Sequence, residues 1–172
     1  MSTIEPIDYL QRQQVVTATH QCLGRAAEIM QREFVIIPVE FNLTGRAAGM
    51  YCVRHNRRWI RYNPYLFAKY FDDNVNETVP HEVAHYVIEQ VYGHARVKPH
   101  GQQWRELMLS LGVNPQRTCD YDMQGIPQRK QHYHIYVCQC TSHQLTSRRH
   151  NKIIREGARY HCRRCQQPLH QQ

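Results

Sequence analysis

The chain has 172 residues, of which 41% are hydrophobic and 21% are charged. That composition is typical of a folded globular protein and argues against disorder throughout. The length allows one domain of ordinary size with a small appendage. No apolar run approaches the roughly 20 residues of a membrane-spanning helix, and the first residues show no secretory signal pattern. We therefore expect a cytoplasmic protein without a membrane partner, whose oligomeric state these features do not predict.

The net charge of +8 is unevenly distributed along the chain. Residues 126–172 hold nine lysines and arginines against a single acid, whereas residues 1–125 hold 13 charges of each sign. The positive excess therefore lies in the C-terminal part. A neutral body with a basic end favours two roles, and a basic end commonly binds nucleic acid or another polyanion.

The first third of the chain predicts a helix followed by strands. Apolar residues recur at helical spacing over residues 8–33, which indicates one long amphipathic helix. The β-branched run at 35–39 predicts a strand. Two β-prone segments follow, 50–54 and 59–62, and the polar residues between them indicate a hairpin.

The middle of the chain predicts three more helices. Residues 65–71 indicate a short helix, and residues 72–74 indicate a turn. The next helix begins at about Thr78, a candidate N-cap, and ends at Gly93, a candidate C-cap. A further helix is expected after Gly101.

The segment His81-Glu82-Val83-Ala84-His85 lies in the helix between Thr78 and Gly93. Residues four apart share one helix face, so His81 and His85 can bind a single zinc ion. Glu82 is the neighbour of a ligand, and it is placed to accept a proton from a zinc-bound water rather than to bind the metal. The pattern therefore predicts a catalytic zinc with Glu82 as general base.

A catalytic zinc needs a third protein ligand and an open position for water. Three downstream residues are candidates: His94, His100 and Glu106. His94 falls just past the expected helix end, whereas His100 precedes Gly101, where a turn could direct the ring back. We favour His100, with Glu106 as the alternative.

Four of the seven cysteines form two close pairs near the C-terminus. Cys162 and Cys165 have the two-residue gap that lets both thiolates reach one tetrahedral ion. For the first half of the site, Cys140 with His143 has the same gap and is slightly preferred, although Cys138 could replace His143. A short β-rich module with few large apolar groups needs such a staple, so we expect a second, structural zinc.

Basic residues and tyrosines are interleaved throughout this module. They offer phosphate contacts and stacking surfaces, and no expected element is long or regular enough to read a DNA groove. We therefore expect sequence-independent DNA binding. The candidate contacts are Arg148, Arg149, Lys152, Arg163 and Arg164.

Several motifs together resemble the SprT family, over roughly residues 8–170. The first is Pro80-His81-Glu82-Val83-Ala84-His85, followed 15 residues after His85 by His100-Gly101-Gln102-Gln103-Trp104. The C-terminal motifs Tyr136-Val137-Cys138-Gln139-Cys140 and Tyr160-His161-Cys162-Arg163-Arg164-Cys165 resemble the zinc ribbon of bacterial SprT-like proteins.

The resemblance implies an α+β, zincin-like metalloprotease domain with a small antiparallel sheet at residues 8–125, followed by a zinc ribbon at 132–170. It implies that His81, His85 and His100 bind zinc and that Glu82 is catalytic. Eukaryotic relatives of the Spartan type cleave proteins crosslinked to DNA, so a protein substrate on DNA is expected. The alternative is a nucleic-acid-binding protein whose histidine site is structural and not catalytic.

Overall fold

The computed structural model describes residues 4–93, 97–116, 120–128 and 132–172. The chain divides into two compact units, Met1–Gln128 and Arg129–Gln172. The predicted α+β class with a C-terminal zinc ribbon is confirmed. No helix among the described residues is long and apolar enough to cross a membrane.

The first unit begins with helix α1, Tyr9–Met30, which confirms the predicted amphipathic helix. A capping box starts the helix, because the Asp8 carboxylate accepts from the Gln11 N–H and the Gln11 side chain accepts from the Asp8 N–H. One stripe of the helix is buried: Val15, Thr19, Cys22, Leu23 and Ala26. The three- and four-residue spacing of this stripe packs α1 onto the core.

Three strands form the sheet of the first unit: β1, Val39–Glu40; β2, Gly49–Arg54; and β3, Arg57–Tyr62. The order is β1-β3-β2. Strands β2 and β3 form the predicted antiparallel hairpin, with Tyr51 opposite Ile60. Strand β1 pairs with β3 in parallel, so the sheet is mixed and β2 is one of its edges.

Helix α2, Pro64–Lys69, is followed by a short α3, Phe71–Asp73, and a π-helical turn, Asn74–Thr78. The predicted turn at 72–74 is therefore wrong. Thr78 as an N-cap is also wrong, because its backbone is helical and its hydroxyl donates to Asn74 Oδ1 at 2.8 Å. The π-helical turn thus continues into the next helix without a break.

Helix α4, Val79–Tyr92, is buried along most of its length and ends at Gly93, whose φ of +85° suits glycine. It packs against α1, β2 and helix α5, Gln102–Ser110. Because α4 carries the His-Glu-x-x-His segment, this packing places two histidines and a glutamate inside the core. The predicted limits of α4 and the predicted start of α5 agree with the structure to within about two residues.

The second unit is a small sheet with one helix. Strands β4, Tyr133–Val137, β5, Ser142–Thr146, and β6, His170–Gln171, pair in antiparallel fashion in the order β5-β4-β6. Helix α6, Ser147–Glu156, follows β5 directly. The sequence predicted a β-rich module and did not predict α6, which has ten residues.

Candidate metal centres

Three histidines from two parts of the first unit converge on one point. The Nε2 atoms of His81, His85 and His100 lie 3.0 to 3.2 Å apart in all three pairings. His81 and His85 come from adjacent turns of α4, and His100 precedes α5. In a tetrahedral site with zinc–nitrogen bonds of about 2.0–2.1 Å, ligand nitrogens are separated by about 3.3 Å. The three rings therefore have the spacing of zinc ligands.

A tight turn aims His100 back at α4. His100 has a φ of +57°, in the left-handed region that residues with a side chain seldom adopt. The next residue must be small, because a Cβ on Gly101 would stand 2.9 Å from the Lys98 carbonyl oxygen. Strained backbone of this kind is commonly found at functional sites.

The indole of Trp104 lies against all three histidine rings. Its centroid is 4.8 Å from those of His81 and His100 and 5.6 Å from that of His85. The indole N–H donates to the His81 carbonyl oxygen at 3.3 Å, which ties α5 to α4. Trp104 is only 1% exposed, so its position is determined by the core and it holds the three rings in place.

Burial keeps the α4 histidines neutral. Burial, together with the charge of neighbouring histidines, lowers the pKa of His81 to about 4 and that of His85 to about 3. Neutral imidazole is the form that binds a metal ion. At neutral pH the two α4 histidines therefore present nitrogen lone pairs rather than positive charges.

Glu82 is a buried carboxyl beside the triangle. Burial raises its pKa to about 8, and a hydrogen bond from the Tyr51 backbone N–H to Oε2, at 2.6 Å, opposes that shift. Tyr51 lies on the edge strand β2, so a sheet edge holds the carboxyl. A carboxyl with a pKa near neutrality is suited to accept and return a proton.

Gly49 allows the edge strand to approach this carboxyl. A Cβ at position 49 would stand 2.6 Å from Glu82 Cγ, 2.7 Å from Oε1 and 2.7 Å from Thr78 Cγ2. Real Cβ atoms do not come so close to other atoms. Glycine at this position is therefore a requirement of the contact between β2 and α4.

A second contact joins the β2–β3 hairpin to α4 two turns further along the helix. The Glu89 carboxylate accepts two hydrogen bonds of 2.9 Å from Arg58 and one of 3.1 Å from the Tyr51 hydroxyl. Arg58 holds the pKa of Glu89 at about 2, so the carboxylate is charged although it is buried. Tyr51 thus contacts Glu82 with its backbone and Glu89 with its side chain.

Two cavities meet at this site. One of about 570 Å³ is lined by residues that include Arg46, Glu77 and Asp120. The other, of about 430 Å³, is lined by apolar residues that include Met50, Ile88 and Val97. Three residues line both cavities: Gly49, His81 and Glu82. The histidine triangle and Glu82 therefore lie where an open cleft passes the edge strand.

In the second unit, four cysteine thiols lie within 4.8 Å of one another: Cys138, Cys140, Cys162 and Cys165. The sulfur atoms of Cys140 and Cys162 are 3.7 Å apart, and those of Cys138 and Cys140 are 3.5 Å apart. His143 Nε2 lies 3.3 Å from Cys138 Sγ, beside the four thiols. These positions favour the alternative in which Cys138 replaces His143.

Two family models match the chain. The model of the SprT-like family matches residues 19–132, and that of the SprT-like zinc ribbon domain matches residues 133–172. The chain belongs to the SprT family. The family models meet at residue 133, where β4 of the second unit begins.

Curated SprT relatives match along most of their length. Protein SprT of Vibrio parahaemolyticus is 38% identical over 86% of this chain and 86% of its own. Protein SprT of Pasteurella multocida is 36% identical over 91% of each chain, and that of Shewanella oneidensis is 34% identical over 90% and 95%. No solved structure matches the chain.

The predicted nucleic-acid contacts of this SprT chain are all exposed. Arg148, Arg149 and Lys152 lie on α6, and Arg163 and Arg164 lie in the turn between the two C-terminal cysteines. Of the interleaved tyrosines, Tyr136 is buried and its hydroxyl contacts His150 Nδ1 at 3.1 Å. Tyr133 is 53% exposed and remains available for stacking.

Two other residues were candidates for the third zinc ligand, Glu106 and His94. Glu106 is exposed, accepts a hydrogen bond from Gln102 at 2.8 Å and is not in the histidine group. His94 lies outside the described residues. The roles of Gly49, Arg58 and Glu89 were not predicted. The sequence did contain a sign of the role of Glu89. This residue lies seven positions after Glu82, which places both carboxyls on the same face of an otherwise apolar helix.

Proposed function

We propose that the protein is a zinc-dependent metalloprotease that acts on DNA-associated proteins, with His81, His85 and His100 as zinc ligands and Glu82 as the catalytic residue. One observation carries the proposal. A triangle of imidazoles with zinc-ligand spacing lies next to a buried carboxyl of raised pKa, in an open cleft. Three protein ligands and an accessible fourth position are typical of catalytic zinc sites.

The chain's own residues divide the work of peptide hydrolysis. His81, His85 and His100 would hold a zinc ion, which would supply Lewis acidity toward the scissile carbonyl and the attacking water. Glu82 takes a proton from that water and returns it to the leaving amine. The Tyr51 N–H holds the carboxylate during both transfers, because it donates to Oε2.

The cleft supports a polypeptide as the substrate. Its two cavities continue on either side of Glu82 along the edge strand β2, so an extended chain can pass through with its scissile bond at the histidine triangle. Apart from the Tyr51 N–H, which donates to Glu82, the edge of β2 offers backbone hydrogen bonds to such a chain. A small molecule would not need an open cleft on both sides.

The second unit supports the link to DNA. We propose that Cys138, Cys140, Cys162 and Cys165 bind a structural zinc ion, which stabilises a module of about 40 residues that has little apolar core. The exposed cations on α6 and the Cys162–Cys165 turn then contact phosphates without reading sequence. DNA is recruited by this basic surface, and the protein bound to it is the substrate.

The proposal is tested by proteolysis with the zinc-loaded full chain. A basic DNA-binding protein is the substrate, free or assembled on plasmid DNA, and the wild type is compared with Glu82→Gln at equal zinc content. We expect cleavage that DNA stimulates and that Glu82→Gln reduces by about 10²–10⁴-fold.

Two results would separate the possible failures. No Glu82-dependent cleavage from a protein that binds zinc and DNA would favour the alternative, a nucleic-acid-binding protein with a structural histidine site. Glu82-dependent cleavage that DNA does not change would retain the protease and remove the DNA-associated substrate.

A further inference from the structure

The outer face of the first sheet concentrates arginines around one tryptophan. Side chains alternate across a strand, so Arg57, Trp59 and Arg61 of β3 point away from the face that holds Ile60 and Tyr62. The cross-strand partner of Arg57 on β2 is Arg54. We call the surface formed by Arg54, Arg57, Trp59 and Arg61 the arginine face.

Positive charge on the arginine face is only partly compensated. Arg57 pairs with Glu40 at 2.7 Å, with 63% of its side chain exposed. Arg61 donates to neutral acceptors, the side chain and backbone oxygens of Asn42. Within the described residues no carboxylate pairs with Arg54 or Arg61. The first unit is close to neutral in sequence, yet this face has an excess of cations.

The hairpin places two of these cations against each other. Arg54 and Arg57 are directly opposite at the end of the β2–β3 ladder, and like charges in that position destabilise a sheet. An anion outside the sheet would remove the repulsion. This pairing of like charges, which Glu40 compensates only at Arg57, favours an anionic ligand at this end of the hairpin.

Trp59 provides a stacking surface between the cations. Its side chain is half-buried, and the Arg57 guanidinium lies 4.9 Å from the ring centroid. Residues two apart on a strand are separated by about 6.6–6.8 Å, so a cation lies on either side of the indole along β3. Exposed sheet faces with aromatic side chains bind single-stranded nucleic acid by stacking unpaired bases.

We propose that the arginine face binds single-stranded nucleic acid, with phosphates on Arg54 and Arg61 and a base stacked on Trp59. The charges match a polyanion. The indole favours a single strand over a duplex, because the bases of a single strand are free to stack on it. This surface lies on the first unit, whereas the predicted DNA contacts lie on the second. It does not depend on the zinc centre being catalytic.

The chain offers a direct probe of this surface, because it has two tryptophans and Trp104 is 1% exposed. Oligothymidylate of about 15 nucleotides is titrated into the full-length Glu82→Gln protein. This variant is used so that the binding measurement does not depend on proteolytic activity. We expect the oligonucleotide to quench tryptophan fluorescence, and Trp59→Phe to abolish the quenching. The quenching should persist at saturation in an Arg148→Gln, Arg149→Gln variant, which weakens binding at the second unit.

The cations are tested by affinity. Arg54→Gln with Arg61→Gln should weaken oligothymidylate binding about tenfold at low salt and reduce the slope of log affinity against log salt by about 1.4. Arg32→Gln, an exposed arginine outside the face, is the control and should change neither. Equal quenching in wild type and Trp59→Phe, or quenching by polyaspartate or by duplex but not by oligothymidylate, would overturn the proposal. Quenching without proteolysis by the wild type would retain it while the proposed function fails.

Discussion

The two metal centres differ in how they are built. Two histidines of the triangle lie on a core helix, and the surroundings of the triangle include an indole, a strand edge and a buried carboxyl. The four thiols lie in a small unit whose buried residues are few: Tyr136, Leu145 and Cys162. A core can hold three ligands in place and leave a fourth position open, whereas a small unit needs its metal to be folded. This difference is the one that our proposal requires, with chemistry at the first centre and stability from the second.

The largest expected effect follows from removing a thiol. Cys162→Ser should release one zinc ion per chain and unfold the second unit, because metal supplies much of that unit's stability. Zinc content and limited proteolysis measure both consequences. The first unit should remain folded and retain its zinc. Loss of both ions, or a protected second unit, would contradict the difference between the centres.

Trp104→Phe tests the support of the histidine triangle. The variant keeps an aromatic ring but loses the hydrogen bond to His81 and part of the surface under the rings. Loss of such a supporting contact typically lowers metal affinity by about 10–100-fold, which a competition titration with a chelator measures. Leu107→Met, on the same helix and also buried, should leave the affinity unchanged. A similar loss in both variants would mean that α5 packing alone is responsible.

Gly49→Ala tests the approach of β2 to Glu82. The added Cβ has no room, so we expect a loss of about 1–3 kcal/mol in the free energy of unfolding, and weaker proteolysis as the carboxyl is displaced. Gly24→Ala on α1 is the matched control, since nothing lies within 4 Å of its Cβ and alanine favours a helix by about 0.5–1 kcal/mol. In chemical denaturation, Gly49→Ala should thus lower the free energy of unfolding and Gly24→Ala should raise it.

The pH dependence of the zinc-free protein tests the burial of Glu82. Its pKa is raised from 4.5 to about 8 on folding, so the stability linked to the protonated form is present below pH 4.5 and lost as pH rises through 8. His81 and His85 have lowered pKa values and act in the opposite direction below pH 6.5, equally in wild type and variant. Glu82→Gln should therefore gain on the order of 2 kcal/mol over wild type between pH 6 and pH 8. If the difference in free energy of unfolding between Glu82→Gln and wild type stayed constant from pH 6 to pH 8, the raised pKa of Glu82 would be contradicted.

Periodic features of the sequence predicted the fold well. The stripe of α1, the β2–β3 hairpin and the ends of α4 all follow from local patterns. Strand β1 has two residues and pairs with β3 only in the folded sheet, so its parallel pairing has no local signal. Helix α6 has no buried residues, and a polar helix of this length lacks the apolar stripe that identifies one.

The sequence predicted those parts of the site that depend on the spacing of nearby residues. It did not predict contacts between residues that are distant in the sequence. Histidines four apart and a glycine after His100 indicated the triangle. The Arg58–Glu89 pair joins residues 31 apart through tertiary packing, which no short pattern reports. Cys138 and His143 remained alternatives because one- and two-residue gaps both reach a metal, and only the folded turn brings the four thiols together.

Zinc-edge anomalous diffraction from crystals of the zinc-loaded full chain tests the central claim most directly. We predict two zinc positions. One is equidistant from the Nε2 atoms of His81, His85 and His100, with a solvent molecule as its fourth ligand on the side of Glu82. The other lies among four thiolates and has no solvent ligand. A fourth protein ligand closing the histidine site, or an absence of zinc there, would contradict the account.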